Sequence, residues 1–198
     1  ATASRVATTN WIKSENVVLV SGEGYADAIS ASVLAKKLDA PILLTTHDIL
    51  SLDAQKALDM LRTKNIYVVG GNASISKGIR DELKAKYNLI ELGGLTRYET
   101  NVKVANELIK LGTSAKDVLI VGGEGFSDAL SIAPIAAAKG EILLLANNNK
   151  SSIHQTIDFV KNNNSNVTVV GTKNVINNDI YNALGAITRI DGGTNRFD

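Results

Sequence analysis

The chain has 198 residues, 44% of them hydrophobic, and 21 Lys plus Arg against 20 Asp plus Glu, enough for one large or two small cored domains and too evenly charged to gather nucleic acid or an acidic membrane. With no Cys, disulfides, thiolate catalysis and Cys-ligated zinc are excluded. No apolar run approaches the roughly 18 residues of a membrane span, and the opening ATASRVATTN lacks a basic-then-apolar leader, so membrane insertion is not expected, and either the chain is cytoplasmic or a signal peptide has already gone.

In chain order, consecutive apolar runs at residues 17–20, 42–45, 66–69 and 89–92 read as parallel strands buried on both faces. Between them, residues 25–38, 51–63 and 75–87 carry helical periodicity, with Ser51 and Ser74 as expected caps and Pro41 at a turn into the second strand. The order then repeats: strands are expected at 118–121, 142–145, 167–170 and 187–190, helices at 126–139, 151–163 and 175–184. Pro134, where the first copy has Val33, is expected to kink or shorten its helix. Strand and helix alternate throughout, which predicts an α/β fold of two tandem Rossmann-like (flavodoxin-like) repeats, with parallel sheets flanked by helices.

The repeat is explicit. VVLVSGEGYADAIS opens at Val17 and VLIVGGEGFSDALS at Val118, so Asp27 and Asp128 stand 101 positions apart. Pro41-Ile42-Leu43-Leu44 aligns with Glu141-Ile142-Leu143-Leu144, Val68-Val69-Gly70-Gly71 with Val169-Val170-Gly171-Thr172, and Gly93-Gly94-Leu95-Thr96-Arg97 with Gly192-Gly193-Thr194-Asn195-Arg196. Arg97-Tyr98-Glu99-Thr100 opens the helix before the second copy's first strand, with Arg5-Val6-Ala7-Thr8 as a weaker counterpart. The boundaries expected from these marks are 5–96 for the first repeat, 97–195 for the second and 196–198 for the start of a truncated third, so the chain is expected to be a piece of something longer.

In open parallel sheets ligands bind beyond the carboxyl ends of the strands. The loops there offer hydroxyl, amide and backbone groups, among them Thr45, Thr46, Asn72, Asn147 and Lys173, suited to a polar ligand such as a sugar; the plainer reading is that they are turns. Gly22-x-Gly24 and Gly123-x-Gly125 invite a dinucleotide site, but Asp27 and Asp128 replace the third glycine and would oppose a pyrophosphate. Those two acids otherwise serve as helix caps or dipole partners. Arg97 and Arg196 either hold an anion bidentately or tie repeats together through a carboxylate such as Asp27 or Asp128, the second being favoured. Catalysis has little support: His47 and His154 are not equivalent between copies and lie in no metal pattern, so no cofactor or metal is expected. Duplicated sites fit a binding module better; the alternative is a doubly wound nucleotide- or small-molecule-binding enzyme domain.

With GEGYADAIS, GGEGFSDALSIAP, PILLT, VVGG and GGLTRYET in view, the chain resembles the cell wall binding repeat 2 family, the non-covalent anchoring module of clostridial S-layer and cell wall proteins. The resemblance covers nearly the whole chain from Arg5. It implies three tandem repeats about a pseudo-threefold axis and binding of an anionic secondary cell wall polysaccharide. A secreted, cell wall or S-layer location follows from it, as does an attached effector retained at the surface. By similarity Pro41 to Leu44 match the family's Pro-Ile-Leu-Leu motif, Asp27 and Asp128 its Ala-Asp-Ala-Leu-Ser segment and Arg97 its Arg-Tyr-x-Thr segment. Two departures are Glu141, aligned with Pro41, and the missing third repeat. A third repeat or self-association is expected to cover an apolar face of several hundred Å².

Overall fold

The computed structural model describes residues 1–193. It contains two four-stranded parallel sheets of the same topology. The first has β1 (Asn16–Ser21), β2 (Ile42–Thr45), β3 (Asn65–Val69) and β4 (Asn88–Leu92), ordered β2-β1-β3-β4. The second has β5 (Asp117–Gly122), β6 (Ile142–Ala146), β7 (Asn166–Val170) and β8 (Ala186–Ile190), ordered β6-β5-β7-β8. This is the opening of the flavodoxin-like 2-1-3-4 order.

The continuous apolar strands are explained by burial on two faces. Val18, Val20, Tyr67 and Val69 point into a core shared by both repeats, whereas Val17, Leu19, Ile66 and Val68 pack into a second cluster with Leu58, Ile79 and Leu83. Successive residues thus alternate between two cores. The helices that supply them are α1 (Thr2–Asn10), α2 (Ala26–Leu38), α3 (Leu52–Met60) and α4 (Lys77–Lys84), then α5 (Arg97–Lys110), α6 (Ser127–Lys139), α7 (His154–Asn162) and α8 (Asn178–Ala183).

Four details differ from the sequence reading. The cap of α4 is Ser76, not Ser74, and the helices after β3 and β7 start late. In both repeats a turn comes first, Ile75 and Ile176 donating their amides to Gly71 and Thr172 carbonyls. Pro134 does not shorten α6, which spans 13 residues like α2; it sits on the helix's exposed face. Pro41 is not matched by Glu141. Val18 pairs with Ile42 and its equivalent Leu119 with Leu143, while Gly22 and Gly123 donate to the carbonyls of Thr45 and Ala146. The 101-residue offset therefore persists, and Ile142 stands in the Pro41 position. Finally, Arg5 lies inside α1, whereas Arg97 is the first residue of α5 behind the cap Thr96, so the two are not structural counterparts.

The Thr96-x-x-Glu99 sequence caps α5 in a variant of the capping box: the Thr96 hydroxyl accepts from the Glu99 amide at 3.2 Å, and the Glu99 carboxylate accepts from the amide of Leu95, one residue before the cap, at 2.8 Å. It fixes where α5 starts and so aims the helix at the junction. α5 packs on α2 and on the edge strand β6, and α2 packs on α6. Buried Asn101 joins all three layers. Its amide donates to the Leu143 carbonyl and the Ser30 hydroxyl, both at 3.0 Å, and its oxygen accepts from the Leu145 amide at 2.8 Å. An edge strand's unpaired backbone is thereby satisfied by one side chain.

Candidate functional site

Each sheet ends in a cleft on its carboxyl side. The first, of about 430 Å³, is walled by the β1–α2 turn (Glu23, Tyr25, Asp27), the β3–α4 turn (Gly71, Ser74) and the start of α5 (Thr96, Arg97, Thr100). The second, of about 480 Å³, uses the matching turns (Glu124, Asp128; Thr172, Asn174, Val175), the β6 end (Asn147, Asn148) and Gly192 and Gly193. The first cleft is composite, because its third wall comes from the sequence that introduces the second sheet.

Backbone geometry creates both clefts. Gly70 and Gly171 sit at φ 130° and 118°, and an added Cβ on either would meet an Asp oxygen, Asp27 or Asp128, at 2.8 Å. Only glycine accepts that conformation and that neighbour. Neither Asp caps its helix: the capping positions of α2 and α6 are Tyr25 and Phe126, with no side-chain cap bond. Both acids stand in the first turn, beside the glycine that ends the third strand of their repeat. Burial pushes the Asp27 carboxyl above its ordinary range, while the Ser74 hydroxyl and the charge of Arg97 pull it down. The second copy has Val175 where Ser74 stands, so Asp128 lacks that hydroxyl.

Arg97 joins the repeats without a carboxylate. Its Nη1 donates to the Gly123 carbonyl at 2.6 Å and to the Tyr25 hydroxyl at 3.2 Å, and its guanidinium lies 5.7 Å from the Tyr25 ring centre. The Tyr25 hydroxyl also donates to the Gly123 carbonyl at 3.2 Å. The expected Asp27 or Asp128 pairing is replaced by a carbonyl and a phenol. Arg97 also borders the first cleft.

The other sequence candidates separate into two groups. Asn147 borders the second cleft and donates to Glu124 at 3.2 Å; burial raises the pKa of the nearby Tyr98 hydroxyl. Thr45, Thr46, Asn72 and Lys173 line neither cleft. The Thr45 and Thr46 hydroxyls donate to the Ile49 carbonyl at 2.9 and 3.1 Å, and the Asn72 carbonyl meets His47 Nε2 at 3.0 Å. Arg196 lies outside the described residues. His47 is also held by Asp48 at 2.8 Å, and His154 by the Ser151 carbonyl at 2.9 Å; neither borders a cleft.

Ser74 was read as a helix cap and belongs instead to the first cleft wall, while Tyr25, the junction residue Asn101 and two arginines behind the cleft walls, Arg80 and Arg189, escaped the sequence reading. Asn101 had a signal, a polar residue in the apolar stripe of α5. The others make contacts between segments distant in sequence, which no local pattern reports.

A sequence model of cell wall binding domain 2 (CWB2) matches residues 1–80 and 91–181. Among curated proteins, N-acetylmuramoyl-L-alanine amidase LytC of Bacillus subtilis (strain 168) is 34% identical over 100% of the chain. An amidase enhancer of the same organism is 30% identical over 98%. The chain spans 39% and 26% of those two proteins. Among solved structures, Cwp6 from Clostridium difficile superposes with a TM-score of 0.87 at 27% identity and Cwp8 with 0.84 at 26%. Each match covers 98% of this chain, and 32% and 34% of theirs.

Proposed function

The chain belongs to the cell wall binding domain 2 family and is a cell wall binding module, and from that premise we propose that it holds an anionic cell wall polysaccharide non-covalently in its strand-end clefts. The observation that carries this is duplication: each sheet ends in an open cleft of similar size with the same Gly-Asp wall. Two equivalent sites on one chain suit a repeating polymer, since a second contact follows the first at high effective concentration. Arg97 is the cation placed to meet an anionic unit in the first cleft, with Asp27, Asp128 and Asn147 supplying polar contacts. Arg196, Thr45, Thr46, Asn72 and Lys173 remain candidate contacts for polymer running beyond the cleft edges.

The module is non-catalytic in this proposal. Both histidines are engaged away from the clefts, and each cleft holds turn residues duplicated between repeats rather than an asymmetric acid–base set. An effector carried elsewhere in a longer, secreted protein would be retained at the wall or S-layer by this contact. Titrating purified wall polysaccharide into the protein should give binding that weakens as salt rises, and weaker binding for Arg97→Gln. Binding of that polymer indifferent to salt, or none at all, would overturn the proposal.

A further inference from the structure

The wall of each cleft is held from behind by a guanidinium, and the two repeats deliver it from different elements. In the first repeat Arg80 of α4, only 4% exposed, donates to the Gly70 carbonyl at 2.7 Å and the Ile75 carbonyl at 3.1 Å, and to Glu91 of β4 at 2.8 Å. In the second repeat Arg189 of β8 donates to the equivalent carbonyls, Gly171 at 2.7 Å and Ile176 at 2.9 Å. Position by position the donors have changed places. Arg80 and Tyr181 each follow their helix cap, Ser76 and Asn177, by four residues. Glu91 and Arg189 each pair with the equivalent β3 or β7 residue, Val68 or Val169. Arg/Glu in one repeat is thus Tyr/Arg in the other, and the Tyr181 ring stacks 4.9 Å beneath the Arg189 guanidinium.

A helix or strand that merely needed filling would not require this. What both repeats retain is a planar donor bridging two carbonyls that bracket the turn, residues 71–74 or 172–175, that walls the cleft. A guanidinium can span two acceptors; an ammonium is a point donor. We infer that Arg80 and Arg189 are positioning residues for the two clefts, one group supplied from either element, and that each cleft binds only while its turn is clamped. This rests on the proposed binding of wall polymer in the clefts.

The test transplants one repeat's solution into the other. Arg189→Glu should speed amide exchange across residues 172–175 and weaken retention on purified bacterial walls about tenfold. Adding Tyr181→Arg rebuilds the first repeat's arrangement and should restore both. Arg80→Lys in the first repeat should behave as a loss, with faster exchange across residues 71–74. If Arg189→Glu does not fold, recovery of the fold and of turn protection in the double variant supports the clamp, and no recovery overturns it. The inference is also overturned if the double variant folds with the parent's stability yet keeps the single variant's exchange and retention, or if Arg80→Lys matches the parent. If the parent itself is not retained on walls, the polymer proposal fails, while the exchange measurements still decide the clamp.

Discussion

Asp27 shows how a residue can be placed correctly by the sequence and have its role settled only by packing. As a carboxylate in the first turn of a helix it suits the dipole, and nothing local distinguishes that role from membership of a cleft wall. Contact with Gly70 and Ser74 makes it the latter, and burial raises its pKa. The folded chain therefore holds this proton more tightly than the unfolded chain does. Its contribution to stability is fully present below the ordinary aspartate pKa and is lost as pH rises through the raised one. Asp27→Asn removes the titration, so as pH rises above the ordinary aspartate value of about 4 the variant should lose less stability than the parent. Urea midpoints that fall equally in both proteins over that range would contradict the burial account.

Among elements, the strands were legible, and so were the starts of α2, α3 and α6, but those of α4, α7 and α8 were not. A strand buried on two faces needs apolar residues at every position, as Val17 to Val20 show, whereas a helix preceded by a turn shares its first residues' composition with that turn. Residues 75 and 175 continue the helical apolar pattern yet belong to turns closed by bonds to Gly71 and Thr172. The β6 register was misread for a related reason: in a run of Leu143, Leu144 and Leu145 a one-residue slip changes no residue type, and only the ladder decides. The same strand gives an element-scale prediction. Asn101→Ala leaves the Leu143 carbonyl and Leu145 amide facing an apolar helix without partners, which should cost about 2–3 kcal/mol. A change below about 0.5 kcal/mol in chemical denaturation would mean that water reaches that edge and Asn101 is dispensable.

At the scale of the whole molecule, the duplication was readable from one motif repeated at a fixed offset, but the way the repeats meet was not. That depends on α5, which belongs by sequence to the second repeat and walls the first cleft. The same arrangement leaves a surface uncovered. Ile29 and Leu34 of α2 are buried at the junction, while their equivalents on α6, Leu130 and Ile135, are 55% and 47% exposed. By internal analogy we propose that a third repeat, or a second copy of the chain, covers this face. Sedimentation of the isolated chain should show concentration-dependent association that Leu130→Asp abolishes; a strictly monomeric parent over the same range would contradict self-association.

The central claim is that the paired clefts recognise a wall polymer and not the wall as a whole. The direct measurement is co-sedimentation of the chain with purified walls before and after chemical removal of their anionic polysaccharide. The account predicts retention on intact walls, release by added free polymer and loss of retention on stripped walls. Equal retention on stripped and intact walls would contradict it.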